Sequence, residues 1–128
     1  MQKILLVNND ASFTDIISFS LCKEGDYQLS IAKNGKEAAA AVARSHFDLV
    51  ITDMFMPYSN GHELIAKIRK SKSQADTQVM VLSDVSNEKS IAHCFRLGAD
   101  MYLQKPLNAF SLLAEIRNML ANHANVAA

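Results

Sequence analysis

The sequence lacks most features that would place it outside the ordinary globular domains. It has only two cysteines, Cys22 and Cys94, which lie far apart, within helical patterns and in no metal-ligand spacing. A disulfide framework or a zinc site therefore has no support, and both side chains are expected to be packed thiols. The 13 basic and 13 acidic residues leave no net charge, so nothing attracts nucleic acid or an anionic membrane over long range.

Long apolar runs are missing as well. The first one, Ile4 to Val7, ends too early for a signal peptide, and no later run approaches the length of a membrane span. A cytoplasmic protein is expected. The 49% apolar and 20% charged residues are typical of a soluble globular domain, and 128 residues suit one domain. Its ordered core is predicted at residues 3–121, followed by a frayed tail.

Strand and helix patterns alternate five times along the chain. This order predicts an α/β fold, a doubly wound five-stranded parallel sheet with helices on both faces. The predicted strands are residues 3–7, 27–32, 47–52, 78–82 and 99–104. The expected helix-end residues are Ser12 with Asp15 as a capping box, Gly25, Asn34-Gly35, Ser86 or Asn87, Gly98, and Asn108.

The third strand is the most apolar and leads into Asp53. Two other strands end on polar groups, Ser83 and Lys105. Ligands of parallel sheets bind beyond the carboxyl ends of the strands, so these three side chains are expected at one edge. An acid, a hydroxyl and an amine at one edge suggest a phosphoryl site on a carboxylate.

The strand ends together resemble a known family. In order they read Val7-Asn8-Asn9-Asp10, Ile51-Thr52-Asp53, Leu82-Ser83-Asp84 and Gln104-Lys105-Pro106. This order resembles the receiver domain of two-component response regulators, of the chemotaxis type with a flavodoxin-like fold, from Lys3 to about Leu120. Its most specific parts are Asp53 with Met56-Pro57 and Gly61, the Lys105-Pro106 pair, and Leu97-Gly98-Ala99.

The resemblance implies a signalling switch rather than an enzyme. Asp53 would accept a phosphoryl group from a histidine kinase, a phosphotransfer protein or a small phosphodonor, catalysing at most its own phosphorylation and dephosphorylation. Lys105 would pair its ammonium with the phosphoryl group, and Ser83 would donate its hydroxyl to a phosphoryl oxygen. The family also has a cis-favouring lysine-proline bond, which Lys105-Pro106 would place at the phosphate edge. The shift of Ser83 would let Tyr102 turn inward and remodel the surface of the fourth helix, fifth strand and fifth helix, where a downstream protein would bind.

Magnesium is the cofactor that the family implies, with Asp53, the backbone carbonyl of Phe55 and Asn9 as its protein ligands. The family usually has two acids where this chain has Asn8 and Asn9. An amide oxygen carries no charge, so the attraction for the ion is expected to be weakened. Asp10, one residue further on, is a less favoured substitute, and Asn8 is a further candidate ligand.

Asp84 stands where the family usually has a small residue. It either compensates for the missing acids near the metal or marks a site no longer optimised for phosphoryl chemistry. The alternative function is therefore a pseudo-receiver, a binding module without the magnesium-dependent cycle. A third class of function is an enzyme or electron carrier that uses the same sheet edge. A haloacid-dehalogenase-type phosphatase would need a second acid where this chain has Phe55. A flavodoxin would need a hydroxyl-rich loop after the first strand, which this chain does not provide.

Other polar residues are interpreted as structural. The histidines, His46, His62, His93 and His123, share no ligand spacing and are expected to be solvated or locally bonded. The basic cluster Lys67, Arg69, Lys70 and Lys72 is interpreted as a solvated helix face and its exit. With no helix-turn-helix or catalytic motif in the chain, no nucleic-acid and no membrane partner is expected, whether the domain stands alone or belongs to a longer regulator.

Overall fold

The computed structural model describes residues 1–56 and 59–127 of the chain. Its main sheet contains β1 (Gln2–Val7), β2 (Tyr27–Ala32), β3 (Leu49–Asp53), β4 (Gln78–Ser83) and β5 (Met101–Gln104). The strands lie in the order β2-β1-β3-β4-β5, and every neighbouring pair is parallel. The predicted doubly wound, five-stranded parallel sheet is confirmed.

Helices connect the strands. They are α1 (Ala11–Glu24), α2 (Gly35–Arg44), α3 (Gly61–Lys70), α4 (Glu88–Leu97) and α5 (Ala109–Ala127). A 3₁₀ turn, Lys72–Gln74, follows α3, and two short strands, Phe55–Met56 and Ser59–Asn60, pair antiparallel between β3 and α3. Helix α5 is described to Ala127, and the fraying expected after residue 121 stays a prediction.

The alternation of strand side chains divides the core into two layers. Leu5, Val50 and Val81 pack with buried residues of α2, α3 and α4, such as Ile65 and Cys94. Their strand neighbours face the other way and form a second cluster with α1 and α5: Ile4, Leu6, Leu49, Ile51, Met80, Leu82, Ile17, Leu112 and Ile116. Every residue of β3 is buried, as the continuous apolar run predicted for a strand covered on both faces.

The helix caps are mostly those predicted, with one correction at α1. Asp10, and not Ser12, caps this helix, since its carboxylate accepts hydrogen bonds from the backbone N–H groups of Ser12 and Phe13. Asn34 and Asn87 cap α2 and α4, which decides between Ser86 and Asn87. Gly25 and Gly98 end α1 and α4 with positive φ angles, as expected.

The segment after α3 contains buried polar side chains that bind the backbone before β3. Gln74 is fully buried; its amide oxygen accepts the backbone N–H of Phe47 at 3.1 Å, and its amide nitrogen donates to the carbonyls of Val42 and Ser45. The hydroxyl of Thr77 donates to the backbone carbonyl of Phe47 at 2.7 Å. Because side chains bind both polar groups of Phe47, β3 begins at Leu49 rather than at residue 47.

The interpretation of Arg69 as part of a solvated helix face is wrong. Its guanidinium donates to the backbone carbonyls of Gly98 and Thr77 and to the carboxylate of Asp100. It therefore ties the end of α3 to the start of β4 and the end of α4. A Cβ on Gly98 would lie 2.7 Å from the Arg69 side chain, which would have to shift, and the positive φ favours glycine as well.

The two cysteines differ in burial. Cys94 is buried in the core, as predicted, whereas Cys22 is exposed on α1 and is not a packed thiol. Both are free thiols. Among the residues that the structure describes, no helix is both long and apolar enough to cross a bilayer.

Candidate functional site

The carboxyl ends of the central strands bring the predicted polar residues to one edge of the sheet. Asp53 is the last residue of β3 and Ser83 the last of β4, while Asn8 and Lys105 directly follow β1 and β5. The strand register aligns these ends, because Val7 is paired with Thr52, Asp53 with Leu82, and Ser83 with Gln104. A cavity of about 590 Å³ opens there. Its lining residues are Asn8, Asn9, Asp10, Phe13, Asp53, Leu82, Asp84, Lys105, Pro106 and Leu107.

Asp53 is a buried carboxylate with a partner on each oxygen. Only 5% of the residue is exposed. The ammonium of Lys105 lies 2.6 Å from Oδ1, and the amide nitrogen of Asn8 donates to Oδ2 at 2.7 Å. Burial raises the pKa of Asp53 above its ordinary value; Lys105 opposes this, and the nearby carboxylates of Asp84 and Asp10 raise it further.

Asn8, rather than Asn9, faces the carboxylate. Asn8 is 4% exposed, and its Oδ1 accepts the backbone N–H of Asp10 at 2.7 Å, which directs its NH₂ group toward Asp53. Asn9 is exposed and lines the cavity. Asp10 uses Oδ1 to cap α1, so part of its carboxylate is committed to the helix. The amide at the end of β1 therefore stabilises the charged form of Asp53 by hydrogen bonding.

Ser83 is connected to Tyr102 through one residue of the loop that follows β4. Ser83 is buried, and its Oγ accepts the backbone N–H of Val85 at 3.1 Å. The carbonyl of the same Val85 accepts the hydroxyl of Tyr102 at 2.6 Å. With Asp84 and Lys105, Ser83 also lines a smaller cavity of about 180 Å³ beside the first. The hydroxyl at the sheet edge and the aromatic of β5 are thus held by the same loop.

The loop after Asp53 packs closely against the start of α3. Gly61 donates its N–H to the carbonyl of Met54, and a Cβ at Gly61 would lie 3.0 Å from the carbonyl oxygen of Asp53. This close approach explains a glycine at this point of the motif. Pro57 lies outside the described residues. The side chain of Phe55 is 67% exposed, and the Lys105-Pro106 peptide bond is cis, as the resemblance implied.

The oxygen donors around Asp53 differ in charge and in burial. Asp10 and Asp84 are exposed carboxylates at the rim of the cavity, and the end of β1 contributes the neutral amides of Asn8 and Asn9. Among the side chains that the structure describes, no three of His, Cys, Asp or Glu are grouped so that they could hold a metal. Mg²⁺ prefers octahedral oxygen ligands with one or two carboxylates. Asp53 alone supplies a buried charge.

The chain belongs to the response-regulator receiver domains: the family model described as "Response regulator receiver domain" matches residues 4–117. The structure of the chemotaxis response regulator CheY4 of Vibrio cholerae superimposes with a TM-score of 0.84 at 27% identity, over 93% of this chain and 98% of that one. Receiver domains are signalling domains and generally not enzymes. The comparisons give no support to the pseudo-receiver alternative.

Receiver domains generally bind Mg²⁺ in the active site. In one solved example, the receiver domain of a Pseudomonas aeruginosa sensor histidine kinase, a magnesium ion is coordinated in the active-site cleft. That domain has a TM-score of 0.80 and 22% identity, over 94% of this chain and 98% of that one, so the likeness extends to the fold alone.

The curated relatives correct the expectation about partners. A probable transcriptional regulator, ycf29 of Pyropia yezoensis, is 35% identical over 93% of this chain and 53% of its own length. The DNA-binding regulator RpaA of Synechocystis is 28% identical over 94% of this chain and 49% of its own length. The chain spans about half the length of these relatives. The prediction that nucleic acid is not a partner is therefore wrong for this group of two-component regulators.

Two apolar residues of the cavity were missed by sequence reasoning. Neither Phe13 nor Leu107 was singled out, and both line the cavity beside Asp53. Phe13 lies within the first turn after the Asp10 cap, so a correct assignment of that cap would have placed it at the sheet edge.

Proposed function

We propose that Asp53 is the phosphoacceptor of this receiver domain. The observation that carries the proposal is a buried carboxylate that opens into a cavity and has an ammonium 2.6 Å from one oxygen. A carboxylate oxygen would attack the phosphorus of a phosphodonor, forming an O–P bond while the bond to the donor's leaving group breaks. Lys105 would then transfer its ammonium contact to the phosphoryl oxygens and offset their charge.

Ser83 and Tyr102 are proposed to form the switch. The hydroxyl of Ser83 accepts the Val85 N–H in the present structure, and turning to donate to a phosphoryl oxygen would break that bond. The loop would then be free to shift, and the Val85 carbonyl would move away from the Tyr102 hydroxyl. Tyr102 would turn inward, which would change the surface that α4, β5 and α5 present.

Magnesium affinity is proposed to be weaker than in receiver domains with acids after the first strand. Asp53, the carbonyl of Phe55 and Asn9 would be its protein ligands, and only Asp53 among them is charged. The amide of Asn8 already donates to Oδ2 of Asp53, where a cation would compete with it. The chemistry of the domain, namely its own phosphorylation and dephosphorylation, would accordingly depend mostly on Lys105 for charge neutralisation.

The output is proposed to be the control of transcription. The relatives of which this chain spans about half are transcriptional regulators, so the phosphoryl signal would be passed to a nucleic-acid-binding function. The phosphoryl source would be a histidine kinase or phosphotransfer protein of the cytosol.

An acyl phosphate donor tests the proposal directly. The treated protein is expected to gain one phosphate mass in an adduct that is sensitive to hydroxylamine, and Asp53→Asn is expected to gain none. Asp26→Asn, an exposed acid between α1 and β2, serves as the control and should label like the wild type. An adduct of equal yield in Asp53→Asn, or no adduct in the wild type, would refute the assignment.

A further inference from the structure

Two histidines meet at the contact between α3 and α4. His62 lies in the first turn of α3, His93 lies in α4, and their ring centroids are 4.6 Å apart with the planes at 90°. Sequence spacing gave no sign of this pair, because the residues belong to different helices. The pair contributes nothing to the contacts described for Asp53.

One nitrogen of this pair lacks a hydrogen-bond partner. The Nε2 atom of His62 is buried and has no partner within the described part of the chain. Burial lowers the pKa of His62, and the neighbouring His93 lowers it further. A neutral imidazole carries a free lone pair and is the form of histidine that binds metals. His93 is exposed, so an ion can reach its ring from solvent, and a turn of that ring would admit the ion to the buried Nε2 of His62.

The spacing of the two ring centroids is compatible with neighbouring ligands on one metal ion, as it is with an edge-to-face contact of the two rings. Metal–nitrogen bonds to histidine are about 2.0–2.1 Å long, and the ring centroid lies about 1.1 Å behind the nitrogen. For ligand–metal–ligand angles of about 90–110°, the two centroids then lie about 4.5–5.2 Å apart. The observed 4.6 Å falls in this range.

We propose that His62 and His93 bind one divalent transition-metal ion, of the class Cu²⁺, Ni²⁺ or Zn²⁺, that links α3 to α4. Imidazole suits these ions, whereas Mg²⁺ prefers oxygen ligands. No further His, Cys, Asp or Glu of the described residues completes a group of three, so water fills the remaining positions and the ion exchanges with solvent. Among the three ions, Cu²⁺ is expected to bind most tightly.

Calorimetric titration with Ni²⁺ in excess Mg²⁺ tests the site. The wild type is expected to bind one ion, and His62→Gln and His93→Gln are each expected to weaken that binding at least ten-fold. His46→Gln and Cys22→Ser are the matched controls, since His46 pairs with Asp76 and Cys22 lies on α1; both should bind like the wild type. Binding that persists in the His62/His93 double variant, or that is lost with either control, would overturn the proposal.

A spectroscopic readout separates metal binding from a merely structural role of the pair. The imidazole ¹⁵N resonances of His62 and His93 are expected to respond together at one equivalent of diamagnetic Zn²⁺. His93→Gln is the safer variant, because the exposed side chain can be replaced without disturbing the core. Zn²⁺ should raise the thermal midpoint of the wild type and leave that of His93→Gln unchanged. Equal midpoint shifts in the two proteins would show that the rings only pack against each other.

Discussion

Replacing Asn8 by aspartate would turn the group that stabilises the Asp53 carboxylate into a second negative charge. The amide nitrogen of Asn8 lies 2.7 Å from Oδ2 of Asp53, and both residues are about 95% buried. Two carboxylate charges about 4 Å apart repel each other by about 2–4 kcal/mol at an effective dielectric constant of about 20–40. The lost hydrogen bond to a charged acceptor adds about 1.5–3 kcal/mol, while sharing of a proton limits the total. A loss of about 3 kcal/mol at pH 7 is therefore expected for Asn8→Asp.

Urea unfolding with and without Mg²⁺ measures this effect. The variant should recover stability as Mg²⁺ is added, by about 2.7 kcal/mol when the ion reaches a hundred times its dissociation constant. The wild type should respond much less. Asn9→Asp is the control, because Asn9 is exposed and a charge there should change the metal-free stability by less than about 0.5 kcal/mol. If metal-free Asn8→Asp is as stable as the wild type, the amide does not stabilise Asp53 as argued.

Two further predictions concern Asp53 and Gln74. Asp53→Asn should be more stable than the wild type at pH 7, because a raised pKa means that folding penalises the charged carboxylate. Relative to Asp53→Asn, the wild type should gain stability as the pH falls through the raised pKa of Asp53. The difference in stability between the two proteins should vanish below the ordinary pKa of about 3.9. A pH-independent difference in urea midpoints would contradict this. Gln74→Leu should lower the free energy of unfolding by about 3 kcal/mol, because it leaves the Phe47 N–H and two carbonyls unpaired. Chemical denaturation checks this, and a loss below about 1 kcal/mol would show that water replaces the amide.

The strand order was predictable because it follows from alternation alone, but some boundaries were not. The start of β5 at Met101 depends on Ala99, whose N–H donates to the carbonyl of Cys94 at the end of α4. The start of β3 likewise depends on Gln74, a residue distant in sequence. Neither the backbone bond of Ala99 nor the side-chain bond of Gln74 shows in the strand pattern, so sequence reasoning began both strands two residues too early.

The part of the site that follows from the parallel strand order was predicted from the sequence. Asp53, Ser83 and Lys105 were expected at one edge because they end neighbouring strands, and the structure places all three there. Which asparagine faces Asp53 depends on the backbone path just after β1, and this was not predictable. The net charge also could not have prevented the wrong prediction about nucleic acid, because the charge of one domain does not determine what a whole regulator binds.

The bonds of Arg69 have a mechanical consequence for α4. They fasten the carboxyl end of this helix at Gly98, at the sheet edge opposite the cavity. Its amino end follows the loop of Val85, where one bond reaches Ser83 and another reaches Tyr102. A rearrangement of that loop would therefore swing α4 about a fixed pivot at Gly98, so displacement would grow toward Glu88.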